Sequence, residues 1–357
     1  MTAFTPLLEA AREFPQTALW NDSADVDELR RSIGFGGVGA TCNPVIGYTT
    51  IKKRASQWAP RIARIASDHP EWGESQIGWQ AIKDMSVEAA ALLEPIFEAQ
   101  QGRNGRLSVQ TDPRLHRDAR ALADQAEEFS GLAPNIIVKI PATRTGIEAI
   151  EDATYRGVVI NVTVSFSVAQ AVTAAEAIER ALQRRLGEGL PIDQMWPVVT
   201  IMGGRLDDWL KYVVNRDQMF IDPGHLEWAG IAALKRAHEI FTERGYRCRV
   251  LSAAFRNVMQ WSELVGGDLV VSPPFAWQAR INASGYEPVS RIDVPVADAH
   301  LSQLMRIEDF RRAYAVDGMT VDEFEDFGAT RRTLRQFLAA DADLDALVRD
   351  HLVPDPQ

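Results

Sequence analysis

A lysine inside an apolar strand is the residue with the clearest chemical potential in this sequence. Lys139 lies in the segment NIIVKIPAT, among isoleucine and valine. An ammonium group is costly to bury unless it is paired or deprotonated, and a desolvated lysine loses its proton more easily. A neutral lysine amine is a nucleophile that forms a Schiff base with a carbonyl. The alternative is a strand-end lysine whose charge reaches solvent, and periodicity alone slightly favours that alternative.

Polar residues at the ends of other predicted strands favour a reactive lysine over one whose charge reaches solvent. Each has an ordinary structural interpretation, as a helix cap, a turn residue or a surface cation. Polar groups at the same end of seven strands, around one lysine, are harder to explain by local structure alone. These candidate site residues are Asp22, Asn43, Gln110, Asp112, Asn161, Thr163, Thr200, Arg205 and Arg256.

The elements that must position these side chains are short β-branched runs alternating with helical segments. Several runs are apolar on both faces, as parallel strands covered by helices are. Eight such strands predict an α/β protein with a (β/α)₈ TIM barrel, and a doubly wound sheet is the alternative. The predicted strands are Ala18–Trp20, Gly37–Thr41, Leu107–Thr111, Ile136–Ile140, Val158–Val164, Val198–Ile201, Arg249–Ala253 and Leu269–Val271.

Glycines before three of these strands are predicted to end the preceding helices. Gly157, Gly245, and Gly266 with Gly267 each follow a helical pattern that ends in polar residues. Glycine is the residue that adopts the left-handed conformation at a helix C-terminus most easily.

Two segments exceed a minimal barrel. Residues 45–104 place roughly 60 residues between strands two and three, so we expect several extra helices there. From about residue 298 the chain turns helical and acidic, which predicts a C-terminal helical extension. We expect a single domain over residues 1–357, with the barrel at about 15–297 and the extension at about 298–357. A barrel of about 250 residues explains the length of 357 better than two smaller domains do.

Composition narrows the class of partner and compartment. Lys and Arg total 38 against 49 Asp and Glu, a net charge of −11, which argues against nucleic-acid binding through a basic surface. Two cysteines fit a reducing compartment. No run approaches 18 consecutive apolar residues and the N-terminus lacks a signal-peptide core, so we expect a cytoplasmic protein with no membrane partner. The six histidines show no metal-ligand spacing.

One glycine-rich segment is a false signal. GFGGVG, from Gly34 to Gly39, matches a dinucleotide-binding pattern that should follow a strand and open a helix. A helical segment precedes it instead, and Pro44 follows where a helix should begin. We interpret it as a flexible loop leading into strand two.

Four strand motifs make the sequence resemble the transaldolase family, which comprises class I aldolase-type barrels with a Schiff-base lysine. ATCNP is similar to the family's A-T-x-N-P, and IIVKIPAT to its lysine strand. INVTVSFSVAQ is similar to its fifth strand and AAFRN to its seventh. The resemblance runs from about Leu19 to Pro274.

The resemblance implies a mechanism and a role for each candidate residue. Lys139 would form an imine with a ketose phosphate, and Asp22 would take the C4 hydroxyl proton as the C3–C4 bond breaks. The three-carbon unit would then pass to an aldehyde phosphate. No cofactor or metal is implied, the partners are phosphorylated sugars, and homodimers are common in the family. Asn43, Asn161 and Thr200 match positions that bind hydroxyls, while Arg205 and Arg256 match the phosphate-binding arginines.

Three departures from the family pattern leave the reaction open. Gln110 replaces a glutamate that manages the catalytic water together with the residue at Thr163, and an amide cannot act as a general base. Fructose 6-phosphate aldolases are similar in having glutamine there, but Met202 follows neither pattern. Ala254 replaces a phosphate-binding serine, and Ser252 cannot be assumed to replace it. Simple aldol cleavage and a catalytically silent sugar-phosphate binding protein are therefore the alternatives to transfer.

Overall fold

Eight parallel strands form a closed barrel in the computed structural model, which describes residues 5–356. The strands pair in sequence order and the last pairs with the first. The predicted (β/α)₈ barrel is therefore confirmed, and a doubly wound sheet is excluded. The strands are β1 (Thr17–Asn21), β2 (Gly37–Thr41), β3 (Arg106–Gln110), β4 (Ile136–Pro141), β5 (Ile160–Thr163), β6 (Val198–Ile201), β7 (Arg249–Ser252) and β8 (Leu269–Val271).

Helices connect successive strands and cover the outside of the barrel. Three consecutive helices lie between β2 and β3, as the long segment predicts. Through β8 the helices are α1 (Pro6–Glu13), α2 (Val26–Gly34), α3 (Pro44–Lys53), α4 (Ala55–Asp68), α5 (Glu74–Ala99), α6 (Ala119–Ser130), α7 (Arg144–Arg156), α8 (Val168–Gly187), α9 (Gly203–Arg216), α10 (Pro223–Leu226), α11 (Ala229–Arg244) and α12 (Met259–Ser262). After β8 come α13 (Phe275–Ala283), α14 (Asp298–Leu304), α15 (Glu308–Tyr314) and α16 (Gly328–Leu352), with short 3₁₀ helices at Pro113–Leu115 and Val321–Glu323.

The strand bounds follow the prediction to within two residues at every end. The largest difference is at β5, which begins at Ile160 rather than Val158. The Val158 amide donates to the Ala153 carbonyl and so completes the C-terminal cap of α7. Helix capping therefore uses the residue that the apolar run assigns to the strand.

On β1, β4, β6, β7 and β8, buried apolar side chains contribute to two separate cores. A small core fills the barrel interior, and it includes Trp20, Ile137 and Leu251. A large core lies between the strands and the helices, and it includes Val138 and Ile140. Because side chains two residues apart on a strand share a face, Lys139 points into the barrel with Ile137.

Two of the three predicted helix-ending glycines have that role. Gly157 and Gly245 cap α7 and α11 in the left-handed conformation, with φ of 101° and 63°. The prediction for Gly266 is wrong, because α12 already ends at Ser262. Gly266 has a left-handed φ of 96° in the turn that leads to β8 instead.

The glycine-rich segment, predicted as a flexible loop, consists mostly of the end of α2 and the start of β2. Gly34 ends α2, whereas Gly37 and Gly39 already belong to β2, so only two residues form the turn. A Cβ on Gly39 would lie 2.5 Å from the Trp20 indole nitrogen. The missing side chain lets the wholly buried indole of Trp20 lie against β2 inside the barrel.

The C-terminal extension crosses the barrel end at which the strands terminate. Near its start, α16 lies beside the segment after β5, where the Phe327 and Phe166 rings are 6.5 Å apart. Farther along, Asp341 pairs with Arg114, which follows β3, at 3.0 Å. The predicted extension therefore covers part of the mouth of the barrel. Within residues 5–356, no helix combines the length and apolar character needed to cross a bilayer.

The contact between Gly39 and Trp20 yields a stability prediction. Gly39→Ala should destabilise the protein by about 1–3 kcal/mol, because the new methyl group overpacks the barrel interior. Urea unfolding measures this. Gly34→Ala is the control, since a Cβ there meets nothing within 4 Å and alanine favours the helix. Equal stability of Gly39→Ala and wild type would show that the indole is not held against β2.

Candidate active site

Lys139 lies between two polar side chains inside the barrel. On the neighbouring strands, Gln110 and Asn161 are its register partners. The lysine is only 5% exposed. Burial is the main reason that its pKa is lowered; the negative charge of Asp22 partly offsets this, and Arg205 adds to the lowering. The mouth of the barrel therefore holds a lysine amine that gives up its proton more readily than a solvated one.

Asp22 follows β1 and is held by its neighbours. The Thr41 hydroxyl, at the end of β2, donates to Asp22 Oδ1 at 2.6 Å. The Asp22 amide donates to the Pro273 carbonyl at 3.3 Å, next to β8. Thr41 was not among the predicted site residues, although it lies inside the ATCNP motif. The carboxylate is thus oriented from β2, the Asp22 backbone is held beside β8, and the carboxylate charge acts on Lys139.

Cys42 is the other potential nucleophile near Lys139. Burial raises its pKa to about 12, with a further contribution from the Asp22 charge. A thiol in that state stays protonated at neutral pH and is a poor nucleophile. The lysine amine is therefore the stronger candidate for covalent chemistry at this end of the barrel.

A buried hydrogen-bond chain fixes Asn161 across three strands. Its side-chain amide donates to Ser108 Oγ on β3 at 2.9 Å, and the Thr200 hydroxyl on β6 donates to Asn161 Oδ1 at 2.8 Å. The chain holds the plane of the Asn161 amide between β3 and β6. Ser108 is a second site residue that the sequence did not single out, because its role depends on a contact with Asn161, 53 residues away in the sequence.

Gln110 carries an unsatisfied acceptor inside the barrel. Its side-chain oxygen is buried and has no hydrogen-bond partner among the described residues. Leaving such a group unpaired costs about 1–3 kcal/mol. Thr163, also buried, ends β5 in register with Pro141 of the lysine strand. Both residues therefore lie on the strands next to β4, and Gln110 presents an acceptor beside the lysine.

Asn43 has a structural role that local sequence already indicates. It is the N-cap of α3, and its side-chain oxygen accepts a hydrogen bond from the Ile46 amide at 3.0 Å. The amide nitrogen of this side chain is not used by the cap and can donate to a ligand. Asp112, a candidate on strand three together with Gln110, also has a structural role. It caps a short 3₁₀ helix and pairs with Arg114 at 2.6 Å.

The two predicted phosphate-binding arginines lie close together beyond β6 and β7. Arg256 pairs with Asp208 of α9 at 2.7 Å. Arg205 donates to Thr333 and Gln336 of α16, at 3.2 and 2.6 Å. Burial, followed by the charge of Arg256, lowers the pKa of Arg205 to about 10. Arg205 and Arg256 line the same cavity, where an anion would offset the repulsion between their charges.

Gly204 allows the segment after β7 to lie against the start of α9. A Cβ at this position would be 1.8 Å from the carbonyl oxygen of Ala254, so only glycine fits. Ala254 adopts a left-handed φ of 63°, which is strained for alanine.

Ser252 donates to the Gln260 carbonyl at 3.1 Å and is fully buried, so it does not replace the missing serine. Met202 is buried in the outer apolar core.

An eight-stranded parallel barrel with a buried lysine, a carboxylate and paired arginines at its mouth has the architecture of a barrel enzyme. The family profile described as transaldolase/fructose-6-phosphate aldolase matches residues 19–334. The chain belongs to this family.

Curated relatives agree with the profile at modest identity. The chain is 27% identical to a transaldolase of Alteromonas mediterranea over 94% of its own length and 96% of the relative. It is 27% identical to transaldolase 1 of Pectobacterium atrosepticum, over 93% and 98% of the two chains. A transaldolase of Thiobacillus denitrificans is 32% identical over 53% of this chain and 54% of the relative.

The electrostatics of Lys139 predict a pH dependence that does not require a substrate. Cyanate carbamylates neutral amines, so modification of Lys139 should begin at a lower pH than that of a short lysine peptide. Asp22→Asn removes the charge that favours the ammonium form, and should move the onset to a still lower pH. Mass spectrometry of the lysine-containing peptide at successive pH values measures both effects.

Glu71→Gln is the matched control for this titration, because it removes an exposed carboxylate and should leave the onset at Lys139 unchanged. An onset at or above that of the peptide would contradict the lowered pKa.

Proposed function

We propose that this protein transfers a dihydroxyacetone unit from a ketose phosphate to an aldose phosphate through a Schiff base on Lys139. The observation that carries the proposal is the buried Lys139 amine, which lies within electrostatic reach of Asp22 and Arg205. Membership of the transaldolase/fructose-6-phosphate aldolase family supports the same reaction class.

The first step is attack of the neutral Lys139 amine on the C2 carbonyl of the ketose phosphate. The carbinolamine that forms loses water and becomes a protonated imine, which can accept an electron pair. The lowered pKa of Lys139 increases the fraction of neutral amine near pH 7. No resident cofactor is needed, because the protonated imine is the electron acceptor.

Asp22 acts in the second step as a general base. Its carboxylate takes the proton of the C4 hydroxyl while the C3–C4 bond breaks, and the aldose phosphate leaves. The bonding electrons pass into the imine and give an enamine on Lys139. The hydrogen bond from Thr41 orients the carboxylate for this transfer, so Thr41 is a positioning residue. Attack of the enamine on an acceptor aldehyde reverses these steps.

The remaining site residues bind the substrate in this proposal. Asn43 donates through its free amide nitrogen, and Asn161 with Thr200 binds hydroxyls of the three-carbon unit. Arg205 and Arg256 hold the phosphate, for which planar guanidinium groups are suited. Because Ser108 and Thr200 already hold the Asn161 side chain in place, substrate binding loses less side-chain entropy.

Gln110 favours a second candidate reaction, aldol cleavage that releases free dihydroxyacetone. Its unpaired side-chain oxygen can accept a hydrogen bond from a water near Lys139, with Thr163 on the opposite neighbouring strand. An amide positions a water but cannot take its proton. In this proposal, position 110 therefore supplies no carboxylate base for the water step.

Reductive trapping tests the proposal. Incubation with fructose 6-phosphate and borohydride should give an adduct of a reduced three-carbon unit on Lys139, located by peptide mass spectrometry. Lys139→Met should give none. Turnover that depends on an added aldose phosphate indicates transfer, whereas dihydroxyacetone release without an acceptor indicates cleavage. Absence of an adduct with any ketose phosphate, together with unchanged sugar-phosphate binding in Lys139→Met, would instead favour a silent binding protein.

Restoring a carboxylate at position 110 tests the role of the water step. Gln110→Glu should raise acceptor-dependent turnover by ~10-fold or more, because general-base catalysis contributes about 10²–10⁴-fold when it limits the rate. Steady-state kinetics with and without acceptor measures this. Gln110→Met, which removes both polar atoms, is the control and should be slower than wild type. An unchanged rate in both variants would show that water handling does not involve this position.

A further inference from the structure

A cavity of ≈ 390 Å³ lies beside the barrel mouth and is rich in guanidinium groups. It is formed by α9, the segment after β7 and the first turns of α16. Among the residues that line it are Arg205, Asp208, Arg256, Arg332, Thr333 and Gln336. Of its three arginines, only Arg205 and Arg256 are assigned a role above.

The charges around this cavity do not balance. Three arginines face a single lining carboxylate, Asp208, which leaves a net charge of +2. Asp208 is already paired with Arg256 at 2.7 Å. Arg332 forms no ion pair with the described residues, and its charge is one of those that disfavour the protonated form of Arg205. A phosphate monoester carries a charge of about −1.5 to −2 at pH 7, which matches the excess.

The position of Arg332 is fixed by packing between α16 and α9. Gly328, the first residue of α16, lies so close to Trp209 that a Cβ would be 1.9 Å from the indole ring. The Trp209 side chain in turn donates to Asp309 at 2.6 Å. One turn later, the Arg332 guanidinium lies over the Tyr212 ring, 5.8 Å from its centre. The helix therefore presents this arginine to the cavity from a defined direction.

A second contact joins the same turn of α16 to Arg205, one of the two predicted phosphate-binding arginines. Thr333 and Gln336 accept hydrogen bonds from Arg205. Arg332 precedes Thr333 directly, so its backbone is fixed relative to Arg205. The C-terminal extension thus brings a third guanidinium group to the two that follow β6 and β7.

We propose that Arg332 is a third phosphate-binding residue, through which the C-terminal helix makes the site selective for phosphorylated substrates. This inference rests on the proposed function for the identity of the substrate. Ala254 lacks the hydroxyl that would otherwise assist at the exit of β7. Arg332 supplies a charged donor from a different element of the fold.

Binding of inorganic phosphate tests the inference without any reaction. Calorimetry should give a dissociation constant for Arg332→Ala about 10-fold or more above wild type, because a hydrogen bond to a charged group contributes about 1.5–3 kcal/mol. Arg331→Ala is the matched control: it removes the same charge from the neighbouring position, where the arginine pairs with Asp326, and should bind like wild type. Arg256→Ala is the positive control. Equal binding by Arg332→Ala and Arg331→Ala would overturn the inference.

Trapping on Lys139 separates this inference from the proposed function. The fructose 6-phosphate concentration for half-maximal adduct formation should rise about 10-fold in Arg332→Ala, whereas that for unphosphorylated dihydroxyacetone should not change. Equal effects on both substrates would show that Arg332 does not select for phosphate. If wild type forms no adduct while phosphate binding still depends on Arg332, the Schiff-base function fails and the anion site stands. Unchanged unfolding midpoints exclude a folding defect as the cause.

Discussion

Burial of the Lys139 ammonium group is the constraint on which the rest of the site depends. Inside a barrel packed with aliphatic side chains, a positive charge is unfavourable, and the surrounding strands compensate only partly through Asp22. The interior core fills the barrel below the lysine with Trp20, Ile137 and Leu251. Gln110 and Asn161 are the register partners of the lysine, and Asp22, Arg205 and Arg256 follow the ends of their strands. The fold thus places at the barrel mouth an amine whose pKa is lowered by burial.

The barrel and its strand bounds could be predicted because they depend on local patterns. Apolar runs of three to seven residues indicate parallel strands whose faces are buried against helices and a core. The errors occur where one residue has two uses. Val158 fits a strand by composition, but its amide caps α7. Gly266 fits a helix cap by position, but the helix before it ends earlier. The glycines of GFGGVG suggest a loop, but Gly39 is a strand residue whose missing side chain makes room for the Trp20 indole from β1.

The predicted site residues come from a motif resemblance and from their position at strand ends, and the structure brings most of them to one end of the barrel. What the sequence did not reveal are side chains whose importance depends on contacts between distant segments. Thr41 and Ser108 are ordinary strand residues until their partners Asp22 and Asn161 are known. Arg332 is one of several arginines on an exposed helical face, and only its place opposite α9 distinguishes it.

The crossing of α16 over the mouth has a consequence for biosynthesis. Arg205 obtains its partners from Thr333 and Gln336, which are synthesised 128 and 131 residues later. A ribosome releases the N-terminal segments first, so all eight strands are available for pairing well before that helix emerges. The part of the mouth that contains Arg205 and Arg256 is consequently the last part to be assembled. A nascent chain would already hold the reactive lysine in a barrel open to any small carbonyl compound, before the helix that restricts access is in place.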